Sequence, residues 1–191
     1  MGNVNDSKIK SMVMVAVFAT ITFLGIQAFR IPMPAAVGTP FVHFGHIFVV
    51  MGVLLLGGKR GAVSGTLGLV IFDLLNGFVQ DIPQVFVETI VKCLIAGALM
   101  AYFRKRARGD RKKEYIGAVV CACVYAAMNI VIEFVMGIVK MMILGSGFQA
   151  ALLGSASSIP ATVINAVFMA VAVSVIYLPV RSIFQKVVGA V

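Results

Sequence analysis

Long apolar runs separated by short polar, glycine-rich or proline-rich breaks dominate the chain. No charged residue occurs between Lys10 and Arg30, and such a run is long enough as a helix to cross roughly 30 Å of hydrocarbon. This predicts a first helix over about 9–29, too long for a signal-peptide core and followed by no small-x-small cleavage site, so it is expected to be retained. Pro32, Pro34, Gly38 and Pro40 then forbid regular helix and give a long loop over 30–40. Further helices are expected over about 41–56, 62–78, 83–103, 115–139 and 160–178. The second and third are joined by the tight turn Gly57-Gly58-Lys59-Arg60-Gly61, and Pro83 suits the first turn of the fourth. A stretch rich in Gly and Ser over 140–159 reads as a loop, within which 141–153 has the length of a short re-entrant segment. The expected fold is an all-α integral membrane protein, one transmembrane domain over 1–191 built as a compact bundle of six transmembrane helices.

Composition agrees with this pattern. The chain has 191 residues, 61% hydrophobic and 12% charged, which excludes a water-soluble domain because too little polar surface is available to cover it. The net charge of +9 raises the question of nucleic acid, and the distribution of the charge answers it. With six spans, Lys8, Lys10, Lys59, Arg60, the Arg104–Lys113 cluster, Arg181 and Lys186 fall on one side, and only Arg30 and Lys140 on the other. The positive-inside rule then places both termini in the cytoplasm and turns the basic surplus into a topology signal, with no nucleic-acid partner implied. The Arg104–Lys113 cluster also forms a polybasic patch suited to anionic membrane lipid.

Charged groups inside the spans need a reason, since each costs at least about 2.5–3.5 kcal/mol at mid-membrane unless it is paired or wetted. Glu88 and Lys92 are four residues apart on one helix face, either as a self-neutralising pair or as two groups lining a pocket. Asn129 and Glu133 repeat that spacing on the fifth helix at matching depth, and Ser158, Thr162 and Asn165 occupy the first turns of the sixth. Three helices thus bring polar groups to one level beneath the outer loops, where a small-molecule site belongs. Hydroxyls in membrane helices commonly bond their own backbone, so the convergence carries more than any single residue. Asp73 and Asn76 either close the same pocket or cap the third helix.

His43 and His46 form an H-x-x-H at the start of the second helix, but without a clear third ligand they make no metal site and instead fix the first loop or touch a ligand. Cys93, Cys121 and Cys123 lie within spans and read as packing residues. No nucleophile elbow, zinc-protease pattern or phosphate-binding loop occurs, so neither an enzyme nor a bound cofactor is expected, and active transport would need an ATP-hydrolysing partner. Gly61, Gly65 and Gly68 smooth one face of the third helix for close packing, and Ala16, Ala19 and Thr20 give the first helix a second small-residue face.

Six short helices, a long first loop, and the runs Phe41-Val42-His43-Phe44-Gly45-His46, Leu54-Leu55-Leu56-Gly57-Gly58-Lys59-Arg60-Gly61-Ala62 and Phe72-Asp73-Leu74-Leu75-Asn76-Gly77 resemble the S components of energy-coupling factor (ECF) vitamin transporters. Lys92, within Thr89-Ile90-Val91-Lys92, fits the pattern of that family's fourth helix. The resemblance spans nearly the whole chain. It implies a multi-pass protein of a prokaryotic cell membrane that captures a vitamin beneath its outer loops and works with a transmembrane coupling subunit and two cytoplasmic ATPases. It also implies a docking role for the first helix, where the family's A-x-x-x-A motif is reduced here to Ala16 and Thr20, with Ala19 beside them. The helix 2 to helix 4 pattern points to a pyridoxine-like or hydroxymethylpyrimidine-like cargo, with riboflavin and pantothenate as alternatives. With no Trp in the chain, aromatic stacking falls to Phe41, Phe44, Phe86 or Tyr125. The rival function is a self-sufficient carrier or channel with Asp73, Glu88 and Glu133 as relay groups, disfavoured by the small size and the lack of paired inverted repeats.

Overall fold

Hydrocarbon offers no water to backbone N–H and C=O groups, so each long apolar stretch closes its hydrogen bonds on itself as a helix. In the computed structural model, which describes residues 4–35 and 39–188, six helices result: α1 Val4–Gln27, α2 Gly45–Leu56, α3 Gly58–Asn76, α4 Ile82–Ala107, α5 Arg111–Ile143 and α6 Phe148–Val188. Positions 36–38 of the expected first loop, Gly38 among them, lie outside the described residues, as do 1–3 and 189–191. Among the described residues, four stretches are long and apolar enough to cross a membrane: Lys8–Gln27, Val79–Ala107, Arg111–Ile143 and Phe148–Val187.

Several expected boundaries change. Phe41 and Val42 do not begin α2 but form strand β2, paired antiparallel with β1 (Ile31–Pro32) in the register Ile31↔Val42 and Pro32↔Phe41. The long first loop is therefore a pinned hairpin, with Met33 N donating to Pro40 O at 2.7 Å. α2 is left with 12 residues, about 18 Å at 1.5 Å per residue, short of the hydrocarbon thickness. The turn between α2 and α3 shrinks to Gly57 alone, whose φ of 89° suits a residue without Cβ.

The basic cluster is likewise mostly helical. α4 runs on through Arg104, Lys105 and Arg106 and stops at Arg108 and Gly109, both in left-handed backbone. Asp110 then caps α5 by accepting from Lys112 N at 2.9 Å and Lys113 N at 3.2 Å. Those backbone bonds, first the one from Lys113, hold its carboxyl below the ordinary aspartate range.

The largest change concerns the Gly/Ser-rich stretch. Residues 140–143 end α5, only 144–147 turn, and 148–159 already belong to α6, which runs 41 residues with Pro160 and Pro179 inside it; 141–153 form no re-entrant segment. The small residues serve packing in place of a loop. A Cβ on Gly137 of α5 would stand 2.7 Å from Ser155 Oγ of α6, so the two helices meet there on small side chains.

α2 sits at the centre and touches all five other helices. Val49, Val50, Val53 and Leu54 are wholly buried in it. The glycine face of α3 lets α2 approach: Gly61 faces the Val53 backbone and Gly65 the Val49 side chain, while Gly68 meets Ala19 and Thr22 of α1. Gly58 and Gly97 bring α3 and α4 into backbone contact.

One end of the bundle gathers the start of α5 and the ends of α2, α4 and α6. Glu114 Oε1 accepts from Arg104 Nε at 3.1 Å and from the Tyr177 hydroxyl at 2.9 Å, and Arg181 Nε lies 3.0 Å away. Arg104 also donates to Leu54 O at the last turn of α2. The hairpin occupies the opposite end. There Asp81, in the 3-10 turn Val79–Asp81, pairs with Lys140 at 2.7 Å.

Candidate ligand-binding site

Toward the hairpin end, α4 and α5 face each other through a continuous polar chain. Lys92 Nζ lies 3.6 Å from Glu88 Oε2 on its own helix and donates to Asn129 Oδ1 of α5 at 2.7 Å. Asn129 Nδ2 in turn donates to Glu133 Oε2 at 3.0 Å. Lys92 is only 1% exposed, so its charge is compensated within the protein and not by water. Its ammonium also stands 5.7 Å from the centroid of the buried Tyr125 ring. The two i, i+4 pairs read from the sequence are thus joined into one network by the Lys92–Asn129 bond.

Donors and acceptors are left over around this chain. Among the described residues, the buried Glu88 Oε2, Thr89 Oγ1, Tyr125 Oη and His46 Nδ1 have no hydrogen-bond partner. A buried polar atom left unsatisfied costs about 1–3 kcal/mol, so a cluster of them marks a place prepared for polar contacts from elsewhere. Thr89 was not singled out by sequence reasoning. Its position one residue after Glu88 was the available signal.

The histidines divide their work. His43 precedes α2, and its Nδ1 accepts from Gly45 N at 3.1 Å, tying down the helix start. His46 sits one turn on, with ring centroids 4.8 Å from His43 and 6.3 Å from Tyr125, and so extends the network toward Lys92. Among the described residues no group of three His, Cys, Asp or Glu side chains is arranged to hold a metal ion.

On α6, Asn165 is committed to structure. Its Oδ1 accepts from His43 N and its Nδ2 donates to Phe41 O, both at 2.9 Å, so one amide clamps the β2 segment onto the bundle. Thr162 donates to Ser158 O at 3.2 Å, the backbone bond expected of a hydroxyl in a membrane helix. Asp73 is buried with Oδ2 unpartnered among the described residues. Asn76 stands apart from the polar chain: it donates to Gln27 Oε1 at 2.8 Å and to Phe72 O at 2.9 Å, and accepts from Arg30 at 3.4 Å, latching α3 to the end of α1.

The aromatic candidates separate in the same way. Phe41 packs with Phe72 and Phe78, with the Arg30 guanidinium 5.6 Å from its ring, and Phe44 is stacked between Phe29 and Phe168 at 4.9 Å from each. Phe86 is exposed on the outer side of α4. On α1, Ala16 and Thr20 are exposed on one face, but Ala19 is buried against α3 and leaves that face. Glu114, the hub of the basic end, was not anticipated as a site of any kind. An acid immediately after a run of cations was the one sequence signal for it.

Residues 6–182 match the family model described as ECF-type riboflavin transporter, S component. No curated protein matches the chain significantly. The vitamin in that family's name is riboflavin, one of the alternatives read from the sequence, and not the pyridoxine-like or hydroxymethylpyrimidine-like cargo expected first.

Proposed function

Since the chain belongs to the ECF-type riboflavin transporter S component family, a group of membrane transport subunits, we propose that it binds riboflavin beneath the β1–β2 hairpin and hands it inward. The observation that carries this reading is the polar chain of buried Glu88, Lys92 and Asn129 and half-buried Glu133, with unsatisfied polar atoms around it. A flavin presents two ring carbonyls, an imide N–H and a hydroxylated side chain. Lys92 and the Tyr125 hydroxyl suit the carbonyls as donors, Glu88 and Glu133 suit the imide and hydroxyl protons as acceptors, and Asn129 serves either. His46, Thr89, Asp73 and Thr162 complete the polar lining, and Ser158 supports Thr162. Because Lys92 is sealed from solvent, entry requires the Asn165 clamp on the hairpin to open.

In this reading all six helices span, with α2 and α3 acting as one hairpin, and both termini lie in the cytoplasm of a prokaryotic cell. Energy comes from a partner module of a transmembrane coupling subunit and two ATPases, docked in part on the exposed Ala16–Thr20 face. Titration of the detergent-purified protein with riboflavin, followed by flavin fluorescence, tests the proposal. Saturable one-to-one quenching is expected, with Lys92→Met and Glu88→Gln each weakening it at least about tenfold, or ~1.4 kcal/mol. Absence of binding, or unchanged affinity in both folded variants, overturns it. Uptake into liposomes by this chain alone would favour the self-sufficient carrier.

A further inference from the structure

A cavity of about 510 Å³ opens at the basic end, at the other end of the bundle from the hairpin. The start of α5 supplies Arg111 and Glu114, and the last turns of α6 supply Arg181, Ser182, Gln185 and Lys186. Three cations thus face a single carboxylate. That carboxylate is already engaged by Arg104, Arg181 and Tyr177, whereas among the described residues Arg111 and Lys186 have no salt-bridge partner.

We propose that this cavity binds a phosphate group, supplied by the headgroup of an anionic phospholipid. Arg111 offers a planar fork of donors and Lys186 a mobile point charge, the two forms of cation that recognise phosphate. Ser182 and Gln185 add neutral donors for the remaining oxygens. The lipid source is favoured over a soluble phosphate ester by what borders the cavity: Leu178 lines it and is itself partly exposed, and Val175, three residues earlier and so on the same side of the helix, is exposed where an acyl chain would lie. The site rests on the membrane placement proposed above but not on vitamin binding.

The test is native mass spectrometry of the full chain, released from neutral detergent in the presence of phosphatidylglycerol or phosphatidylcholine. The unaltered protein is expected to retain one phosphatidylglycerol in preference to phosphatidylcholine, and Arg111→Gln with Lys186→Gln to weaken that retention about tenfold. Lys105→Gln with Lys112→Gln, two exposed cations at the same end outside the cavity, should behave as the unaltered protein. Equal retention of phosphatidylcholine, full retention by the first double variant, or equal loss in the second overturns the site. If inorganic phosphate alone raises the thermal midpoint of the unaltered protein but not of the Arg111/Lys186 variant, and no lipid is retained, the phosphate site stands and its source is soluble. Riboflavin titration of both double variants separates the two proposals, since neither variant should change it.

Discussion

At the scale of single residues, the proposed site divides polar groups whose hydrogen bonds are already taken up by backbone, which are scaffold, from those left without a partner, which are free for ligand. Asn165 spends both ends of its amide on the backbone of Phe41 and His43, so in the proposed reading it governs access to the polar chain and not affinity through direct contact. Asn165→Ala is therefore expected to speed riboflavin release and uptake by similar factors, measured by stopped-flow fluorescence, with a smaller change in equilibrium affinity. The sequence made the polar level legible because a charge in an apolar span has few explanations. It did not separate Asn165 from Asn129, since an amide looks the same whether it faces a backbone or a lysine. Glu114 escaped for the converse reason: at the end of a basic run an acid looks like ordinary surface, and only the fold brings Arg181 and Tyr177 to it.

At the scale of elements, existence was legible and boundaries were not. Each of the six helices follows from an apolar run, yet α5 and α6 extend well beyond theirs, because Asp110 caps a basic turn and because Gly and Ser pack helices together in the membrane as readily as they make loops. The contact between Gly58 and Gly97 has no sequence signature, as the two glycines belong to different helices. A Cβ on Gly97 would strike the Gly58 backbone, which cannot give way as a flexible side chain can. Gly97→Ala is expected to cost about 1–3 kcal/mol and lower the thermal midpoint by several degrees. Gly147→Ala, where no heavy atom lies within 4 Å of the added carbon, should be neutral or slightly stabilising in the same measurement.

At the scale of the whole molecule, cations collect at one end and the hairpin at the other, which converts a sequence asymmetry into a geometric one. In a background with Cys93, Cys121 and Cys123 replaced by Ala, a membrane-impermeant thiol reagent should reach Gln80→Cys from outside intact cells and Lys105→Cys only after the membrane is opened. The reverse pattern would invert the proposed orientation. The central position of α2 also bears on how such a chain can change over generations. A segment touched by every other helix has no free side on which to absorb a change of volume, whereas Val163, Val167 and Val171, bordering an open apolar groove on α6, can be exchanged for other aliphatic residues at little cost. Drift should therefore accumulate on the lipid-facing rim, while the twelve residues of α2 hold their size and shape and serve as the fixed measure against which the variable parts are refitted.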